Sequence, residues 1–111
     1  MKARTALAKP PLALLEERAG EAADLLASMA NAKRLLVLCH LVEGERSVGE
    51  LAVIAGLSQP ALSQHLARMR LQGLVKARRD GQTIFYSLSS ERVRAVLETL
   101  YRLYCGVSES E

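Results

Sequence analysis

At 111 residues the chain suits one domain, and half of it is hydrophobic, which excludes a disordered polymer. A domain this small buries a modest share of its surface, so dimerisation is an expected way to complete its core. The net charge of +3 is concentrated: residues 31–90 carry eight basic and four acidic side chains, whereas the flanking segments together are slightly acidic.

Residues 1–11 read as a polar, proline-ended tail. The apolar part of that opening is broken by Lys9, Pro10 and Pro11, so no secretory signal is expected. No run approaches the ~18–20 apolar residues that span a bilayer. The expected location is cytoplasmic, where Cys39 and Cys105 are free or regulatory thiols rather than a structural staple. From Leu12 to Ala30 the positions Leu15, Ala19, Ala22, Leu26 and Met29 recur at helical spacing and predict one helix. Asn31 is an N-cap for a second, Ala32 to Val42, apolar around most of its circumference. Cys39 shares a face there with Leu35, Leu38 and Val42, so burial is expected; His40 beside it reads as a partly exposed or satisfied histidine.

Glu43 to Arg46 end that helix, and Ser47 with Glu50 forms a capping box that opens a short helix, Val48 to Ala55, stopped by Gly56. Ser58 caps the next helix, Gln59 to about Gln72, with Pro60 tolerated in its first turn and Gly73 as its stop. The period then changes. Leu74–Arg79 and Thr83–Leu88 predict two strands around Asp80-Gly81, with Ile84, Tyr86 and Leu88 on one face and Phe85 breaking the alternation. Ser89 or Ser90 starts a last helix running to about Cys105, and 107–111 form a C-terminal tail. The expected fold is mainly α with a β-hairpin wing: a homodimeric winged helix-turn-helix of five helices and two short strands, spanning residues 12–106.

Two short helices joined by a glycine turn and followed by a hairpin are the parts of a helix-turn-helix with a wing, whose second helix enters the DNA major groove. In that helix Leu62, Leu66 and Met69 face the core, leaving Gln59, Ser63, Gln64 and Arg68 outward. Glutamine can pair with the adenine edge, serine and arginine reach phosphate or guanine, and the helix start at Ser58 offers free amides to a phosphate. Arg78, Arg79 and Gln82 sit beside the wing tip, within reach of a minor groove or backbone. The basic surplus, chiefly Arg68, Arg70, Lys76, Arg78 and Arg79, fits a binder of double-stranded DNA. The plainer alternative is a solvated amphipathic helix with a charged turn. His65 either donates to a phosphate or holds this helix through an internal hydrogen bond.

Asn31-Ala-Lys-Arg-Leu, Ser47-Val-Gly-Glu-Leu-Ala, Leu57-Ser-Gln-Pro-Ala-Leu-Ser-Gln-His-Leu and Gly73-Leu-Val-Lys-Ala-Arg-Arg-Asp-Gly-Gln-Thr-Ile-Phe-Tyr-Ser-Leu resemble the arsenic-repressor (ArsR) family of bacterial winged-helix sensors. The resemblance runs from about Leu25 to Cys105. It implies a homodimer joined by the first and last helices, repressing an operon until an inducer releases it. The family's arsenic and cadmium sensors carry a cysteine pair where this chain has Leu51-Ala52-Val53-Ile54-Ala55, and its zinc and nickel sensors use histidines on a last helix that here has none. Soft metals need clustered thiolates or imidazoles, so no metal site and no cofactor are expected.

Cys39 and Cys105 instead resemble the sulfide- and persulfide-responsive branch, the biofilm-growth repressor (BigR) type. That resemblance implies a reactive sulfur species as inducer: one thiolate takes a sulfane sulfur, the other thiol attacks, and a sulfur bridge ties the last helix to the second. Reactivity requires access and a lowered pKa; Arg102 favours a Cys105 thiolate while the helix dipole opposes it. The alternatives are an ordinary disulfide switch, which needs Cα atoms within about 7 Å, a metal-responsive repressor of the same fold, and a constitutive DNA binder with inert, buried cysteines. No nucleophile–base pair, phosphate loop or paired-acid spacing points to an enzyme.

Overall fold

The computed structural model describes residues 11–106. The expected C-terminal tail, 107–111, and the N-terminal tail apart from Pro11 lie outside the described residues. Pro11 opens the first helix, α1 (Pro11–Glu17), and α2 (Ala19–Met29) follows. Asn31, in an extended conformation, accepts from the amides of Lys33 and Arg34 and so caps α3 (Ala32–Val42). Both arms of the Ser47–Glu50 capping box are formed and start α4 (Val48–Ala55). Gly56 ends α4 at φ 69°, a left-handed conformation that favours glycine. The Ser58 hydroxyl accepts from the Ala61 amide at 3.2 Å and opens α5 (Gln59–Leu71). Ser90 caps α6 (Glu91–Tyr101) in the same way.

The sheet has three antiparallel strands in the order β1-β3-β2: β1 (Arg46–Ser47), β2 (Val75–Asp80) and β3 (Thr83–Leu88). Asp80 pairs with Thr83 and closes the hairpin over Gly81-Gln82. Gly81 has φ 66° and Gln82 does not have positive φ, the pattern of a type II′ turn, whose twist matches the strands. The core lies between this sheet and the helices. Val37, Leu38 and Leu41 of α3 meet Leu51 and Ala55 of α4, Leu62, Leu66 and Met69 of α5, Tyr86 and Leu88 of β3, and Val93 and Leu97 of α6. Each such leucine contributes about 1.5–3 kcal/mol of burial.

Three expectations need correction. The single helix expected over 12–30 is two, so the described residues contain six α-helices rather than five. Arg18 breaks it: its backbone leaves the helical region (φ −114°, ψ 14°) and its guanidinium turns to both carboxylate oxygens of Glu21. α1 buries no residue, so no packing forces it into line with α2. Second, Arg46–Ser47 adds a third strand, pairing with Tyr86 and Phe85; two residues are too few to display a strand period. Third, α-helical geometry stops at Tyr101, and Arg102–Gly106 wind as a π-helical turn. No single helix among the described residues is long and apolar enough to cross a membrane, and α2 and α3 meet at 94°.

Candidate DNA interface and thiol pair

The helix-turn-helix is α4, the Gly56-Leu57 turn and α5. Its angle is held from behind, where Lys33 Nζ donates to the Ala55 carbonyl at 2.7 Å, satisfying an otherwise open α4 terminus. Leu62, Leu66 and Met69 are fully buried, which fixes the rotation of α5 about its own axis. Gln59, Ser63, Gln64 and Arg68 are consequently exposed along its outer side, and Ser58 is exposed at its start. His65, between the two faces, is half-buried. Its Nδ1 accepts from Arg34 Nε at 3.0 Å, so the internal hydrogen bond is present. Burial, then the charges of Arg34 and Arg68, hold its pKa below the usual histidine value.

The wing residues divide. Arg79 and Gln82 are exposed at the tip, with Arg79 Nη1 near the Gly81 carbonyl at 3.4 Å. Arg78 is engaged: Nε and Nη2 donate to the two Glu45 oxygens at 3.0 and 2.8 Å, and its guanidinium lies 4.7 Å from the centre of the Phe85 ring. Its own pKa is raised by Glu45, and the Glu45 carboxyl is lowered by Arg78. Phe85 departs from strict alternation for this reason: its ring serves Arg78 as a platform. Glu45, Lys33 and Arg34 were assigned no role from sequence, because their partners lie 33, 22 and 31 residues away and no spacing rule connects such positions.

Cys39 is exposed in the single protomer, which corrects the expectation that it is buried, and Cys105 is exposed too. α3 presents Leu38 and Leu41 inward, and Cys39 falls on the flank turned towards α6. There it lines an open cleft of about 500 Å³ with Val42, Glu43, Leu97, Glu98, Tyr101 and Arg102. Partial burial, and after it the negative charge a Cys105 thiolate would carry, push the Cys39 thiol up. Arg94 Nη1 donates to the Val42 carbonyl at 3.3 Å and fastens α6 to the end of α3 beside the cleft. Among the described residues no three His, Cys, Asp or Glu side chains gather as a metal-binding group.

Residues 31–77 match the model of the bacterial regulatory protein arsR family. The chain is 50% identical to the transcriptional activator HlyU of Vibrio cholerae over 95 residues, 86% of this chain and 88% of that protein. The transcriptional repressor BigR of Xylella fastidiosa superposes with a TM-score of 0.82 at 41% identity, covering 86% of this chain and 98% of the other. A homodimeric winged helix-turn-helix DNA-binding domain from Mycobacterium bovis superposes with a TM-score of 0.67 at 28% identity, over 85% of this chain and 91% of that one. HlyU and BigR are a transcriptional activator and a transcriptional repressor, and a capped, rotationally fixed α5 beside a hairpin bearing Lys76, Arg78 and Arg79 suits such a role. The chain belongs to the arsR family of bacterial regulatory proteins.

Proposed function

We propose that this regulator is a dimeric repressor whose hold on operator DNA is released when a sulfur bridge joins Cys39 to Cys105. What supports the reading is placement: Cys39 lies exposed on α3 beside a cleft lined by Leu97 and Tyr101 of α6, and Cys105 lies exposed on the turn that ends that helix. Gln59, Ser63 and Gln64 meet base edges, Arg68 and Arg79 meet phosphates, the Ser58 end of α5 and His65 add backbone contacts, and Gln82 reaches an adjacent groove. Arg78 joins them only by leaving Glu45. The dimer forms through α1, α2 and the last helix, supported by the exposure of Leu12, Leu15, Leu26, Tyr101, Leu103 and Tyr104. Two-fold symmetry then sets the recognition helices about 34–36 Å apart.

The proposed chemistry balances with an organic or inorganic trisulfide, R–S–S–S–R. The Cys105 thiolate attacks the central sulfur and displaces one RS⁻, leaving Cys105 joined through that sulfur to the remaining S–R. The Cys39 thiolate attacks the same sulfur, the second RS⁻ leaves, and Sγ–S–Sγ remains. The donor's terminal sulfurs are reduced and the two cysteine sulfurs oxidised. The raised pKa of Cys39 leaves less thiolate there at neutral pH. A bridge between the end of α6 and α3 alters the dimer seam and with it the spacing of the two α5 helices.

Intact mass and operator affinity, measured after separate exposure to a polysulfide, peroxide, diamide and zinc, test this directly. Polysulfide should add one sulfur atom with loss of two hydrogen atoms and release DNA. Cys39→Ser and Cys105→Ser should each bind DNA normally and fail to release it; normal release by either variant defeats the paired-thiol reading. A bare loss of two hydrogen atoms with release would assign an ordinary disulfide instead.

A further inference from the structure

We propose that Arg34 is a positioning residue for DNA recognition: it holds His65 as the Nε2–H tautomer and so presents that N–H to a phosphate oxygen. The inference rests on the DNA reading of α5 given above. Arg34 lies on the first turn of α3 and makes two side-chain bonds in different directions. Nε donates to His65 Nδ1 on α5 at 3.0 Å, and Nη1 donates to the Ser28 carbonyl near the end of α2 at 3.3 Å. Ser28 is itself buried and fixed by its hydroxyl, which donates to the Asp24 carbonyl at 3.0 Å. The planar guanidinium thereby bridges two helices that its own helix adjoins. Lysine, with a single nitrogen on a flexible stem, lacks this fork.

An arginine side chain only donates. Its bond to Nδ1 therefore requires a lone pair there, and a neutral imidazole with Nδ1 unprotonated carries its hydrogen on Nε2. Among the described residues Nε2 has no hydrogen-bond partner and no buried side-chain nitrogen is left unsatisfied, so this N–H reaches solvent. His65 follows Ser63 and Gln64 on the polar side of α5 and precedes Arg68, which is exposed one turn on. A donor at that border has the position of a backbone contact rather than a base contact. The charged groups acting on the ring, Arg34 from α3 and Arg68 from α5, are both cationic, and with burial they oppose a second ring proton. Protonation would also set a ring N–H against the Arg34 donor. The neutral tautomer is thus favoured twice over.

The chain has two histidines, His40 and His65, so ring ¹⁵N NMR of the free full-length protein reads the tautomer without ambiguity once His40→Gln assigns the signals. At pH 7.5, wild type should show His65 with the hydrogen on Nε2; Arg34→Gln should show a tautomer mixture and a higher His65 pKa. Arg34→Lys, which keeps the charge, should also lose tautomer selection, and a thermal melt of each variant checks folding. On DNA, His65→Leu should weaken operator and random duplex by the same factor, about tenfold, while His65→Gln, which keeps an N–H near the Nε2 position, should retain most of the affinity. Substituting Arg34 should cost less in the His65→Gln background than in wild type, since glutamine needs no tautomer set for it. An Nδ1–H tautomer in wild type, or an unchanged tautomer in both folded Arg34 variants, overturns the proposal. A loss for His65→Leu confined to operator DNA overturns its phosphate part. Failure of wild type to bind any duplex with the NMR result intact would instead sink the DNA reading, leaving the Arg34–His65 coupling standing.

Discussion

In the proposed DNA complex Gln64 and Arg79 would play different parts. Both are exposed, but an amide pairs with the edge of one base, whereas a guanidinium at a hairpin tip meets phosphate on any sequence. Gln64→Ala should therefore weaken operator binding by about 1–3 kcal/mol while leaving random DNA nearly unaffected. Arg79→Ala should weaken both alike and reduce the salt slope by about one. Titrations of operator and scrambled duplex at several salt concentrations separate the two; equal losses for Gln64→Ala would show that it reads no base. Inside the helix the argument is packing. Leu66 is fully buried against several elements, and Leu66→Ala should cost about 2–5 kcal/mol in urea unfolding.

The wing is an element whose charge is partly spoken for. Glu45, in the loop before β1, holds Arg78 by two hydrogen bonds while Phe85 supports the guanidinium from one face. In that arrangement Arg78 stiffens the hairpin and brings no net charge to DNA. Removing the carboxylate's charge should reverse the balance. Glu45→Gln should raise affinity for all duplexes and steepen the salt dependence by about one phosphate contact, as Arg78 becomes available. An unchanged slope would mean that Arg78 stays on the Phe85 platform without Glu45. The same loop also carries Glu43, which lines the Cys39 cleft and pairs with Arg46 at 2.9 Å. The thiol cleft and the wing therefore share one short segment.

At the scale of the whole molecule, exposed apolar side chains recur in the first and last helical segments, while Leu36, Val53 and Leu71 are exposed elsewhere. Leu103 and Tyr104, on the π-helical turn, are 67% and 81% exposed, and Leu12 and Leu15 of α1 are similarly open. In the proposed two-fold dimer these side chains would be covered, giving α1 the packing it lacks in the single protomer. Leu103→Glu with Tyr104→Glu should convert the dimer to monomer by sedimentation, and operator affinity should fall by roughly two orders of magnitude as paired half-sites are lost. A double variant that stays dimeric would place the seam elsewhere.

The sequence by itself determined what depends on neighbours in the chain. Asn31, Ser47, Ser58 and Ser90 cap helices by bonding amides two or three residues on, and Gly56 and Gly81 take conformations that local sterics reserve for glycine. The spacing of Leu62, Leu66 and Met69 likewise settles which side of α5 is buried and which is left to solvent. Tertiary structure alone decided the rest. Arg18 interrupts a helix that periodicity reads as continuous, because nothing packs against α1. Cys39 is open rather than buried, because its face of α3 borders a cleft instead of the core. Arg78 with Glu45 and Arg34 with His65 became pairs only when folding brought distant segments within 3 Å of each other. Hydrogen bonds act only over such short distances, so which surface charges are paired depends on which segments the fold sets side by side.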